Sequence, residues 1–427
     1  MPAPADFGHQ LTWHAVPRPQ FSGGNEVRLL QGGDALFPAQ EAAIAAARHE
    51  VWLATYIFHH DEAGASLVAA LRGAAARGVR VRVVVDGFGS KASLGWLRER
   101  LEGSGVALAI FRPMDRWWRW LQPGQLRRLH QKLCVVDGEQ AFVGGINIIG
   151  DRMDLNHGAL DEPRLDFAFG LRGPVVEPVH QAARAVWTRA WLGRDFGEEL
   201  LALVRSPEPL QRVRRLFGRL RMPGREPVVA EQALPPVAAA FVLRDNLRQR
   251  RTIERAYIEA IRGAEQAVDL VTPYFYPGRA FRRALLGAAR RGVRVRLLLQ
   301  GKVDYRIAAM AAHALYAELL SRGIEIHEYT QAFLHAKVAV VDGRWATVGS
   351  SNIDPLSLLL NLESNVVVED ETVAGEVAAA FEAALAGAVR IADEQAVGTG
   401  LQAVLRRGLV AWAAYVYLRV AGATGRY

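Results

Sequence analysis

Ala74–Arg82 reads A-A-A-R-G-V-R-V-R, and Ala288–Arg296 reads A-A-R-R-G-V-R-V-R. In each copy an alanine-rich helical tail meets a glycine and turns into an alternating strand. The first continues as V-V-V-D-G-F-G-S to Ser90, the second as L-L-L to Leu299. Upstream of the first, Glu50–Phe58 is a run of strand formers, E-V-W-L-A-T-Y-I-F, and Ala63–Ala76 has a helical pattern. Val268–Phe275, V-D-L-V-T-P-Y-F, holds the same place in the second copy, again ahead of a helical stretch. Strand, helix and strand with short joints imply parallel pairing in a helix-covered sheet. The chain is therefore predicted to be α/β, with repeats at residues 26–205 and 237–393. Between them, residues 206–236 carry six prolines and the basic run R-V-R-R-L-F-G-R-L-R-M, a linker or a contact for an anionic surface. Residues 394–427 form a basic-aromatic tail.

Length and composition agree with that plan. The 427 residues suit two domains of about 200 residues each. With 51% hydrophobic and 22% charged residues, the chain can bury a sizeable core, which excludes a disordered protein. Cys134 is the only cysteine, which excludes an internal disulfide and any multi-cysteine metal site. The 52 basic against 44 acidic residues leave a net charge of +8, favouring polyanionic partners such as nucleic acid or anionic lipid. No apolar run is long enough to span a bilayer, and the N-terminus lacks the pattern of a signal peptide. The expectation is a protein kept in the cytoplasm.

The chemistry concentrates in a second duplicated pattern. His130, Lys132, Asp137, Gly144, Gly145 and Asn147 recur as His335, Lys337, Asp342, Gly349, Ser350 and Asn352, both copies obeying H-x-K-x4-D-x6-G-[GS]-x-N. Histidine and lysine two apart beside a strand leave the same face. If the repeats pack about a pseudo-two-fold axis, two imidazoles and two ammonium groups converge, with Asn147 and Asn352 as further donors. Such a pocket suits a phosphate group, because cations and amides stabilise charge on non-bridging oxygens. One histidine can attack phosphorus and form a phosphohistidine, while the other protonates the leaving oxygen and then deprotonates the incoming hydroxyl. Asp137 and Asp342 belong to the same catalytic motif, but their opposite strand parity reads as structural support. Paired lysines repel a cation and no carboxylate shares the spacing, so no metal is expected.

At these residues the chain resembles the phospholipase D superfamily, whose members carry paired H-x-K-x4-D signatures. The resemblance runs from about Glu26 to Asp393. T-Y-I-F, V-V-V-D-G-F-G-S, R-D-N-L-R-Q-R-R-T-I-E-R-A-Y and V-T-P-Y-F are similar to bacterial cardiolipin synthases, most of all to the B type. The resemblance implies two tandem α/β/α sandwich repeats related by a pseudo-two-fold axis. It also implies metal- and cofactor-free transfer of a phosphatidyl group through a phosphohistidine, two phosphatidylglycerols giving cardiolipin and glycerol. Family practice makes His130 the nucleophile and His335 the acid/base, although the symmetric motifs themselves leave the two exchangeable. The lysines, Asn147 and Asn352 would hold phosphate oxygens. The acids that orient the histidines match Asp166 and Glu363, with the pairing open. Gly145 departs from Ser350, so one half-site lacks a hydroxyl donor.

Other signals are weaker or concern the surface. Gly87–Ala92, G-F-G-S-K-A, matches a dinucleotide fingerprint, but the second repeat has Q-G-K-V-D-Y there, so it reads as a strand-end turn. His59-His60-Asp61 fits a loop or the pocket wall, and Asp151–Asp166 an exposed loop. Trp117, Trp118 and Trp120, interleaved with arginine just before His130, suit a headgroup region, as does the stretch Leu405–Arg419 containing Trp412. The expected partner is anionic phospholipid at the cytoplasmic face of the cell membrane, bound peripherally, with no nucleic acid and no protein partner singled out. The rival expectation is a hydrolase of the same superfamily, a phospholipase or nuclease using the same histidines.

Overall fold

The structure is a computed structural model that describes residues 18–113, 127–155, 157–194, 237–245, 249, 251–302, 306–354, 357 and 361–392. The connection at 206–236, the tail at 394–427, and Trp117, Trp118, Trp120 and Trp412 lie outside the described residues.

The first half runs β1 (Ser22–Gln31), α1 (Gly32–Ala46), β2 (Glu50–Thr55), α2 (Glu62–Ala76), β3 (Arg80–Asp86), α3 (Leu94–Leu101), β4 (Ala107–Phe111), β5 (Leu133–Val136) and β6 (Gln140–Gly144). A small hairpin of β7 (Met153–Asp154) and β8 (Gly158–Ala159), then β9 (Phe167–Arg172) and α4 (Val176–Arg194), complete it. The second half repeats the plan with β10 (Val237–Arg244), α5 (Thr252–Gly263), β11 (Ala267–Thr272), α6 (Arg279–Arg290), β12 (Arg294–Gln300), α7 (Arg306–Leu320) and β13 (Glu325–Tyr329). It ends with β14 (Val338–Val341), β15 (Trp345–Gly349), β16 (Glu363–Glu369), α8 (Glu371–Ala386) and β17 (Ala388–Arg390). No helix among the described residues is long and apolar enough to cross a membrane.

The duplicated segments become the parallel pairs. β2 lies beside β3 with Glu50 opposite Arg80, and β11 beside β12 with Ala267 opposite Arg294. One fifteen-stranded sheet carries both halves among the described residues, in the order β17-β13-β12-β11-β14-β15-β16-β10-β1-β9-β6-β5-β2-β3-β4. The order reads alike outward from the β10–β1 seam, apart from the extra edge strand β17. At the seam Asn25 is fully buried; its amide donates to Val237 O at 3.0 Å, while its carbonyl accepts from Val175 N at 2.8 Å.

Strand residues alternate between two layers. Trp52, Ala54, Leu133 and Val135 join Val271, Val338 and Val340 in one core that crosses the seam beneath α4 and α8. Val51, Leu53, Cys134 and Val136 face α1–α3, and Val268, Leu270, Ala339 and Val341 face α5–α7. Burial on both faces explains the near-continuous apolar strands. The result is an α/β/α sandwich duplicated about a pseudo-two-fold axis, as the sequence led us to expect.

Candidate active site

Each histidine sits in the lead-in to a strand, not on it, since β5 starts at Leu133 and β14 at Val338. What holds the lead-ins is the other half of the chain. Leu129 bridges Leu362 and Leu165 bridges Leu334, both parallel. His130 N donates to Leu362 O at 3.0 Å, and His335 N donates to Leu165 O at 2.9 Å. Two residues absent from the sequence reading brace the preceding positions. The Asp86 carboxylate, at the end of β3, accepts from Leu129 N at 2.9 Å, and the Gln300 carbonyl, at the end of β12, accepts from Leu334 N at 3.0 Å. Neither was signalled by the repeat, because the same brace is built from different residue types.

The carboxylates cross between halves. His130 Nδ1 lies 2.9 Å from Glu363 Oε2, and His335 Nδ1 lies 2.6 Å from Asp166 Oδ2. Glu363 is the first residue of β16 and Asp166 immediately precedes β9, so each acid comes from the repeat that does not supply its histidine. Glu363 Oε2 also accepts from Ser350 Oγ at 2.5 Å. Asp166 Oδ1 accepts from its neighbour Phe167 N at 2.8 Å. An ionised acid on Nδ1 fixes the N–H there and leaves Nε2 with its lone pair.

The Gly145–Ser350 difference has a steric cause. A Cβ on Gly145 would stand 2.3 Å from Asp166 Oδ1, closer than such contacts occur. The shorter Asp166 must approach its histidine through the space that Ser350 occupies opposite the longer Glu363. The missing hydroxyl therefore follows from Asp in place of Glu.

Two buried lysines complete the cluster, 5% and 1% exposed for Lys132 and Lys337. Lys132 Nζ donates to His130 O at 2.8 Å, and Lys337 Nζ to His335 O. Burial pushes Lys132 down to about 7 and Lys337 to about 8, against the pull of Glu363 and Asp166. Burial also lowers His130 despite Glu363, and lowers His335 well below the ordinary range with help from Lys337 and Lys132. Each lysine acts on the histidine of the other half, so the four groups share one electrostatic site. Burial raises Asp166 to about 6; in Glu363 the same burial is outweighed by His130 and Lys132, and its pKa falls.

Asn147 and Asn352, two residues beyond Gly145 and Ser350, are both buried. Asn147 Oδ1 accepts from Ile57 N at 3.2 Å, whereas Asn352 Oδ1 has no hydrogen-bond partner among the described residues. Tyr56, unforeseen in the sequence, packs its ring 5.1 Å from that of His130.

Asp137 and Asp342 are not brought into the pocket, which corrects their place among the catalytic candidates. Both adopt left-handed backbone, φ 53° and 52°. Asp137 accepts from the N–H groups of Arg48, His49 and Glu50, all at 2.8 Å. Asp342 does the same for Glu265, Gln266 and Ala267 at 2.8–2.9 Å. They anchor the entry of β2 and β11, at the far ends of β5 and β14 from the histidines. The segment expected as an exposed loop is only partly one: Asp154 in the β7–β8 hairpin pairs with Arg164 and His157 packs 4.9 Å from Phe333 of the second half, but Asp151 is buried and accepts from Gly33 N at 2.6 Å at the start of α1.

A family model described as "Cardiolipin synthase, PLD-like domain" matches residues 41–160 and 257–385. The chain belongs to that family. Cardiolipin synthase B of Salmonella typhi is 38% identical over 351 residues, 82% of this chain and 78% of the relative. Cardiolipin synthase B of Escherichia coli (strain K12) is 36% identical over 353 residues, 81% and 77% of the two chains. Among solved structures, the phosphatidylserine synthase of Haemophilus influenzae Rd KW20 shares the fold with a TM-score of 0.63 at 12% identity, covering 98% of each chain.

Proposed function

We propose that the protein is a phosphatidyltransferase that joins two phosphatidylglycerols into cardiolipin and releases glycerol. The observation that carries this reading is the crossed pairing of His130 with Glu363 and of His335 with Asp166, around two buried lysines. The protein works at an anionic membrane, bound peripherally on its cytoplasmic side, without metal or nucleotide. The resemblance to cardiolipin synthases of the B type and the net charge of +8 support that setting.

His130 Nε2 attacks phosphorus of the first lipid. A P–N bond forms, the P–O bond to glycerol breaks, and His335 gives its proton to the departing oxygen. His335 then takes the proton of the incoming headgroup hydroxyl, whose oxygen attacks phosphorus and breaks the P–N bond. Phosphodiester replaces phosphodiester, so no energy source is required. Lys132, Lys337, Asn147 and Asn352 hold the non-bridging oxygens. Burial and the lysine charges lower the proton affinity of His335; a phosphodiester anion offsets those charges and raises it.

Mass spectrometry of phosphatidylglycerol vesicles incubated with the purified protein tests the reading. Cardiolipin and glycerol are expected, both lost in His130→Ala and His335→Ala. Phosphatidic acid alone would make water the acceptor and the protein a lipase, and an unchanged lipid profile would sink the lipid assignment altogether.

A further inference from the structure

The catalytic cluster is nearly symmetric, but its two flanks are not. At the ends of β3 and β4 the first half gathers Arg112, Arg127 and Arg128. Arg112 Nη1 donates to Arg127 O at 3.2 Å, and Arg128 Nη1 donates to Arg112 O at 3.4 Å. Arg128 also stands 3.7 Å from the buried Asp86 carboxylate and 5.2 Å over the exposed ring of Phe88. The strand registers place Phe111 opposite Asp86 and Tyr329 opposite Gln300, so the matching positions in the second half are Thr330, Ala332 and Phe333. Three guanidinium groups on one side thus correspond to no arginine at the matching positions, where the nearby cation is Lys302, its Nζ donating to Gln331 O at 3.0 Å and lying 5.9 Å from the Phe333 ring.

This flank adjoins the reacting centre. Arg128 and His130 lie on either side of Leu129, the residue that bridges Leu362. Asp86 braces Leu129 and meets Arg128, which ties the arginines to the histidine lead-in. Arg112 also has a left-handed backbone, φ 49°, which costs energy in a non-glycine residue and is often kept at ligand sites. Burial and the neighbouring Arg127 and Arg128 lower its pKa to about 10, the mark of crowded positive charge.

We infer that Arg112, Arg127 and Arg128 bind the phosphodiester of the second phospholipid, the one whose headgroup hydroxyl attacks the phosphohistidine. The inference rests on the transferase reading above and names the part of the site that selects the acceptor. The two lysines and two asparagines serve the phosphate that reacts. A second lipid brings a second phosphate, one glycerol bridge away, and guanidinium forks suit its oxygens. Donor and acceptor play different parts in one turnover, and the unequal flanks match that difference.

The test offers the full-length protein two acceptors for the same phosphohistidine. Vesicles of phosphatidylglycerol in phosphatidylcholine, supplied with ethanol, yield cardiolipin from an acceptor with a phosphate and phosphatidylethanol from one without. Replacing Arg112 by Asn, which tolerates the left-handed backbone, together with Arg127→Gln is expected to lower the cardiolipin-to-phosphatidylethanol ratio about tenfold. Arg127→Lys, made alone, should keep the ratio closer to the parent than Arg127→Gln does. An unchanged ratio, or both products falling in parallel in the folded variant, would show that the arginines serve the donor or the fold and would overturn the inference. Soluble glycerol 3-phosphate as a third acceptor separates the sources of phosphate. A variant impaired with it and not with vesicle lipid would assign the cluster to a free phosphomonoester, against the inference. A parent protein forming neither product would refute the transferase reading itself, a result distinct from any change in ratio.

Discussion

Gly145→Ala places one methyl group where the crossed pairing has no room for it. The added Cβ meets Asp166 Oδ1 at 2.3 Å and Asp166 Oδ2 at 3.0 Å, so the carboxylate must retreat by about 1 Å to reach ordinary contact. It cannot do so freely, because Oδ1 receives Phe167 N and Oδ2 receives His335 Nδ1 at 2.6 Å. A displacement near 1 Å of a positioning group costs on the order of 10²-fold in rate. Losing a charge-assisted hydrogen bond costs about 2 kcal/mol, or roughly 30-fold, and overlaps with that term. The expected loss in single-turnover phosphatidyl transfer is therefore about 10²- to 10³-fold. Overpacking is expected to cost about 1–3 kcal/mol in stability as well, so rates are compared per folded molecule. The double substitution Gly145→Ser with Asp166→Glu copies the Ser350–Glu363 arrangement and should recover at least about tenfold of the lost rate. Gly145→Ala with activity within twofold of the parent would refute the claim that Asp166 positions His335 through this space.

Three further outcomes follow from the same geometry. Glu363→Gln removes the fixed negative charge on His130 Nδ1 and should lower kcat by about 10²- to 10⁴-fold with little change in lipid binding; an equal effect on KM and kcat in a vesicle assay would contradict a positioning role. The pH profile of kcat/KM should be bell-shaped, the carboxylate of Asp166 being lost as pH falls through about 6 and the ammonium of Lys132 and Lys337 as pH rises through about 7 to 8. Bound phosphate favours the charged lysines, so the alkaline limb of kcat should lie higher, and coincident limbs would count against phosphate contact. Asp137→Ala and Asp342→Ala should each destabilise by about 2 kcal/mol, through three lost backbone partners and a left-handed backbone unsuited to alanine, while transfer per folded molecule stays near the parent's. The backbone bonds depress both folded-state pKa values, so this stabilisation is complete above the unfolded value and fades as pH drops through the folded one. Thermal unfolding monitored at pH 3 and 7 checks the sign.

The duplicated plan was legible because both halves use the same chemical signals. R-G-V-R-V-R marked the parallel strands, and the H-x-K spacing marked the histidines and lysines. Strand parity set Asp137 and Asp342 apart from the histidines, and the structure shows what they do instead. The crossing of Glu363 to His130 and Asp166 to His335 was not legible, because two equivalent acids and two equivalent histidines allow either pairing until the halves are docked. Asp86 and Gln300 escaped notice for a related reason: one brace is made with a carboxylate and the other with an amide, so no repeated residue type points to it. Gly145 was read as a missing donor, whereas its smallness is what lets the shorter acid reach.

The crossed pairing also couples assembly to chemistry. A half folded alone would present a histidine with no carboxylate on Nδ1 and a carboxylate with no histidine, since both partners come from across the seam that Asn25 stitches. A chain whose halves have formed but not yet docked therefore holds no complete reaction centre, and misdocked halves stay chemically silent. The reaction centre exists only in the docked molecule, so its formation reports that the two halves have met correctly.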